Sequence, residues 1–163
     1  MLLITLAVGR IQVSTPSGVV VGLHGGEWRI FASAVDESLV IEDALSWLSG
    51  GECEVIVQKE ASTLGAPMQT IIVKLGSKQA LLSLGMLDKE SIRLMLNSGL
   101  GSRIDDDKFL HVRLSLAHLV RGRGILAHNS EDPVAKGKFK LEVYPGQIPI
   151  DVAENVLEGL IEN

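Results

Sequence analysis

The spacing of polar and apolar positions changes period several times along this chain. Residues 2–8, 10–14 and 19–23 are short runs rich in branched aliphatic side chains, with Ile4, Leu6 and Val8 alternating with Thr5 and Ala7. Thr15-Pro16-Ser17-Gly18 reads as a turn, because Pro presets φ and Gly permits a positive φ. Together they predict an N-terminal hairpin or meander. Gly25-Gly26 punctuates the chain, and residues 28–34 (WRIFASA) form the next predicted strand. The period then lengthens. Behind Asp36 or Ser38 as N-cap, Leu39, Ile41, Ala44, Leu45 and Leu48 recur at helical spacing, and Gly50-Gly51 closes that helix. Residues 53–59 and 68–75 predict strands around the turn-rich stretch 61–67. Residues 77–84 and 88–96 predict short helices, broken at Gly85, with Asp88 as cap.

The second half returns to period two. Residues 109–114 place Phe109, His111 and Arg113 on one side and Leu110, Val112 and Leu114 on the other. Residues 123–127 are a candidate partner strand. In residues 136–144, Lys136, Lys138, Lys140 and Glu142 alternate with Phe139, Leu141 and Val143. Residues 150–161 close the chain as an amphipathic helix with Val152, Val156, Leu157, Leu160 and Ile161 inward. This order predicts an α+β two-layer sandwich: a mostly antiparallel sheet with helices on one face. No repeat of solenoid length is visible. Residues 1–26 read as an N-terminal strand appendage and residues 27–163 as a single domain.

Composition narrows the classes. With 46% hydrophobic residues the chain supports a core and is not disordered over most of its length. A single cysteine, Cys53, excludes a disulfide framework and a Cys-rich zinc site. The apolar start is far shorter than the roughly 20 residues of a membrane span and has no basic flank, so a cytoplasmic protein is expected. Net charge is −5, but it is unevenly spread. Residues 101–145 carry 8 Lys/Arg against 6 Asp/Glu, a net of +2, while the remainder carries 7 against 14, a net of −7.

Catalytic constellations are absent from the pattern. The histidines His24, His111, His118 and His128 show no metal-binding spacing, and no nucleophile elbow or phosphate loop occurs. Asp105-Asp106-Asp107 lacks the spacing of a calcium loop and reads as a polar turn. No metal or other cofactor is expected. The basic face is the feature that points to chemistry. Lys136, Lys138 and Lys140 share one strand face, and Arg113 and Arg123 join it if their strands are neighbours. Such a stripe suits a phosphodiester backbone. Aromatic residues make up 4% of the chain and sit mostly at inward positions, so the expected ligand is structured RNA read by shape and backbone.

Five strings occur in order: Phe31-Ala32-Ser33-Ala34-Val35-Asp36-Glu37-Ser38, Glu60 with Gly65-Ala66-Pro67-Met68, Arg103-Ile104-Asp105-Asp106-Asp107, Leu110-His111-Val112-Arg113-Leu114, and Lys138-Phe139-Lys140-Leu141-Glu142-Val143-Tyr144-Pro145. Together they resemble an archaeal family of predicted RNA-binding proteins assigned to the exosome. The resemblance covers about residues 27–160. It implies a fold similar to that of the large-subunit ribosomal protein that holds 5S RNA. The chain departs from the family where Ala66 replaces an Asn, and where Ser115-Leu116-Ala117 replaces a polar triplet. The expected function is therefore a non-catalytic RNA-binding protein connected with RNA processing or ribosome maturation. The alternative is a protein-interaction or assembly factor that keeps the fold without RNA binding.

Overall fold

The alternating and helical stretches assemble into one sheet with its helices gathered on one side. The structure is a computed structural model that describes residues 22–33, 36–61 and 65–162. Its strands are β1 (Leu23–Ser33), β2 (Val55–Ala61), β3 (Pro67–Gly76), β4 (Phe109–Ser115) and β5 (Val134–Leu141). They lie in the order β2-β3-β1-β5-β4, and every neighbouring pair is antiparallel. The helices are α1 (Ser38–Leu48), α2 (Ser77–Gly85), α3 (Lys89–Ser98), the single turn α4 (Leu116–Leu119) and α5 (Pro149–Glu162). The expected α+β architecture with an antiparallel sheet is thus present. The strands expected at residues 2–8 and 10–14, and most of 19–23, lie outside the described residues.

Period two decides which face each side chain takes. In β1, Trp28, Ile30 and Ala32 point to the helix layer and are buried, while Glu27, Arg29 and Phe31 point the other way. Opposite them, Val73, Ile71 and Gln69 of β3 share the buried face. On β5 and β4, Gly137, Phe139, Leu110, Val112 and Leu114 do the same. The core therefore fills the space between one sheet face and the apolar stripes of α1, α2, α3 and α5.

The centre of that core is a tightly fitted pair. The Trp28 and Phe139 rings meet edge to face, with centroids 5.3 Å apart and planes at 78°. The Trp28 indole N–H donates to the Ser83 hydroxyl on α2 at 2.6 Å, which satisfies a donor that would otherwise be orphaned in the core. Gly137 lies directly beneath: a Cβ there would sit 2.6 Å from Trp28 Cζ3 and 2.8 Å from Phe139 Cε2.

Several expectations are corrected. Gly25-Gly26 does not separate two strands; it lies inside β1, hydrogen-bonded between β3 and β5. The reason is close approach, since a Cβ on Gly25 would meet the Leu75 carbonyl oxygen at 2.7 Å and one on Gly26 would meet Phe139 Cδ1 at 2.6 Å. Glu37 occupies the N-cap position of α1, and the Asp36 carboxylate instead accepts the Ser33 N–H at 3.1 Å. Asp88 stands at the N-cap of α3 but makes no capping bond with its side chain. Gly50-Gly51 does close α1: both have positive φ, and the Gly51 N–H donates to the Ser46 carbonyl at 2.8 Å. Residues 123–127 bridge β4 only at Leu114–Leu126, while β5 takes the other edge of β4 along its whole length.

Candidate nucleic-acid interface

The sheet face turned away from the helices carries the charge. Cross-strand register places Phe109 opposite Lys140, His111 opposite Lys138 and Arg113 opposite Lys136. The next strand adds Glu27 opposite Lys138 and Arg29 opposite Lys136. Lys74 of β3, opposite Glu27, extends the same face. Arg113, Lys136 and Lys138 are exposed, and no ion pair engages them among the described residues. The four residues Arg113, Lys136, Lys138 and Lys140 are thus brought together as the alternation of their strands implied. Among the described residues, no helix packs on this face.

Arg123 is not brought there. It lies beyond α4, where its guanidinium donates to the Asp88 carboxylate at 2.6 Å. The backbone fixes this placement, because Gly124 bridges Leu87 and accepts the Asp88 N–H at 2.9 Å. The segment that carries Arg123 is therefore tied to the connection between α2 and α3, in the helix layer. Arg29, which the charge count over residues 101–145 passes over, takes a place on the face instead. Period two in β1 is the signal that finds it.

The acidic side chains beside the lysines, Glu27 and Asp105, are already engaged, while Glu60 of β2 is exposed at the far edge of the same face. The Arg29 guanidinium pairs with Glu27 at 3.1 Å. His111 Nε2 meets Asp105 Oδ2 at 2.7 Å. Asp105 also organises the turn that leads into β4: its Oδ1 accepts the N–H groups of Asp107 at 2.9 Å and Phe109 at 3.0 Å. Lys108 completes the turn with φ 68°, a conformation that non-glycine residues seldom adopt. The triple-aspartate string is thus a turn, as its spacing implied. The His111 hydrogen bond, helped by the two backbone N–H groups, holds the Asp105 carboxyl below its ordinary value.

Aromatic placement differs from the sequence expectation. Trp28 and Phe139 are buried, but Phe31 is 51% exposed and Phe109 is half-buried, both on the basic face. Lysines lie over both rings. Lys138 and Lys140 Nζ stand 4.2 and 4.7 Å from the Phe109 centroid, and Lys136 Nζ stands 5.4 Å from that of Phe31.

Fold and face together define an α+β protein whose antiparallel sheet packs one face on its helices and carries basic side chains on the other. Solved structures share the fold. The chain is similar to a DUF54 protein from Archaeglobus fulgidus, at TM-score 0.67 and 23% identity, with 83% of this chain and 98% of the other covered. It is similar to another DUF54 protein, from Methanothermobacter thermautotrophicus, at TM-score 0.66 and 18% identity, covering 85% and 98%. A third, from Sulfolobus solfataricus, gives TM-score 0.64 and 14% identity over 85% and 98%. These likenesses show a fold shared with archaeal proteins. No protein-family model matches the chain, and no curated protein matches it.

Proposed function

We propose that this chain is a non-catalytic RNA-binding protein that grips the phosphate backbone with Arg113, Lys136, Lys138 and Lys140. The observation that carries the reading is the register of β4 on β5, which sets these four cations on one exposed face. The resemblance to the archaeal exosome-assigned family supports a role in RNA processing or ribosome maturation, and a fold like that of the 5S-binding ribosomal protein. Phosphate contact makes affinity fall with salt at a slope of about −0.7 to −0.9 per neutralised phosphate. Lys138→Glu with Lys140→Glu therefore lowers affinity for an RNA carrying both stems and single-stranded tails, and reduces that slope by about 2. Lys59→Glu with Lys78→Glu is the control, since these residues lie on edge strand β2 and on α2, away from the face. Equal loss in both pairs would refute the site, and no RNA binding at low salt would refute the function.

One observation favours the alternative, a protein-interaction factor. A cleft of about 240 Å³ opens between α1 and the end of α4, lined by Val40, Asp43, Ala44, Trp47, Leu119, Val120 and Gly122. Beside it Leu39 is 65% exposed and Val40 46%. If RNA fails to bind, this apolar edge is where a protein partner is to be sought.

A further inference from the structure

The reading of the basic face as an RNA site leaves open which form of RNA it takes. The sequence shows no closely spaced aromatic pair, which is why backbone recognition of structured RNA is the expectation from it. The fold supplies what the sequence hides. Phe109 and Phe31 stand on the same sheet face, the one turned away from the helices, on β4 and β1 with β5 between them. Phe109 pairs with Lys140, which pairs in turn with Gly25, whereas Phe31 lies six residues further along β1. At about 3.3 Å per residue along the strand and about 4.8 Å between strands, the two rings are on the order of 20 Å apart across a diagonal. Between them run Lys138 beside His111, and Lys136 beside Arg113.

We infer that this face binds single-stranded RNA, with bases stacked on Phe109 and Phe31 and the intervening phosphates held by Lys136, Lys138, Lys140 and Arg113. The inference rests on the RNA-binding reading and narrows it. A duplex keeps its bases inside its own stack and has no use for exposed rings, whereas an unpaired base presents its face to them. The diagonal matches a footprint of about four nucleotides, the short end of known single-strand sites. The lysines over the rings do not block stacking. The exposed ammonium groups of Lys136 and Lys138 are weakly held on the rings, a base stacked there is held more strongly, and the freed ammonium then meets a phosphate. Lys140, by contrast, also donates to the Asp107 carbonyl oxygen and stays beside Phe109. The carboxylates nearest the lysines, Glu27 and Asp105, are paired with Arg29 and His111 and so oppose the backbone less, while Glu60 lies on β2 at the far edge of the face.

Fluorescence anisotropy with a labelled uridine oligomer of about ten nucleotides and an RNA duplex of about 16 base pairs tests this. The oligomer is expected to bind at least about ten times more tightly than the duplex. Phe109→Leu and Phe31→Leu each keep an apolar side chain but remove the π-face, and each is expected to weaken oligomer binding about 5- to 100-fold. Phe109→Trp, which enlarges the stacking surface, is expected to retain it, and unchanged melting temperatures establish that the leucine variants are folded. Equal or tighter duplex binding, or leucine variants that bind the oligomer as the parent does, would overturn the stacking inference. If Lys138→Glu still weakens binding in that case, the RNA-binding reading stands without it. If neither RNA binds, or the lysine variant changes nothing, both fall together.

Discussion

Gly137→Ala adds one methyl group to the most crowded point of the core, and the structure fixes its cost. Gly137 has no positive φ, so alanine suits the backbone itself. The new Cβ, however, would lie 2.6 and 2.9 Å from Trp28 Cζ3 and Cε3, and 2.8 Å from Phe139 Cε2. Neither ring has room to retreat. Trp28 is anchored by its 2.6 Å hydrogen bond to Ser83, and Phe139 is already backed against Gly26, where even a Cβ would be only 2.6 Å from its Cδ1. Overpacking of this kind costs about 1–3 kcal/mol. A shifted indole that loses Ser83 adds about 1–3 kcal/mol for a buried unsatisfied donor. Lower entropy of the unfolded chain returns about 0.4–1 kcal/mol. The expected net destabilisation is about 2–4 kcal/mol, seen in urea as a lower midpoint at unchanged slope and in melting as a fall of roughly 5–15 °C. Combining Gly137→Ala with Phe139→Leu should recover about 1 kcal/mol relative to the sum of the single changes, because the shorter side chain vacates the Cε2 position. A Gly137→Ala protein within about 0.5 kcal/mol of the parent would refute the claim that this contact is rigid.

Gly159→Ala is the opposite case: it lies in α5 with open space around its Cβ position, so it should stabilise the protein by about 0.5–1 kcal/mol in the same urea assay. Asp105→Asn should remove part of the pH dependence of stability. Because the folded carboxyl is depressed, its contribution is present above the ordinary value of about 3.8 and is lost as pH falls through the lower folded value. Urea midpoints measured downward from pH 5 should therefore drop less steeply in the variant than in the parent below about pH 4. Arg123→Ala breaks an exposed pair with Asp88 and should cost no more than about 1 kcal/mol. It should leave the salt slope of RNA binding unchanged, whereas a reduced slope would return Arg123 to the site.

Legibility from the sequence followed the range of the interactions involved. The strands at 68–75 and 109–114 and the helix at 150–161 emerge as β3, β4 and α5 with no end displaced by more than one residue, because their periods express burial on one face. The failures are of another kind. Gly25-Gly26 looks like a break because glycine is common in turns, yet here it serves strands that approach closely from either side. Asp88 does stand at the N-cap of α3, as its position implies, but its side chain makes no capping bond, because a cation 35 residues away takes its carboxylate.

By itself, the order of residues determined that Lys136, Lys138 and Lys140 share one strand face, that Arg113 shares a face with Phe109 and His111, and that strands and helices form an α+β domain. These follow from geometry repeating every two or 3.6 residues, which a single segment carries whole. Long-range packing set β5 between β1 and β4, so that Arg29 and Phe31 join the lysines. It alone drew Arg123 away to Asp88 and left the rings of Phe31 and Phe109 on the basic face. Strand order and register arise from packing among segments as far apart as residues 23 and 141. No local pattern encodes which distant edge a strand will meet.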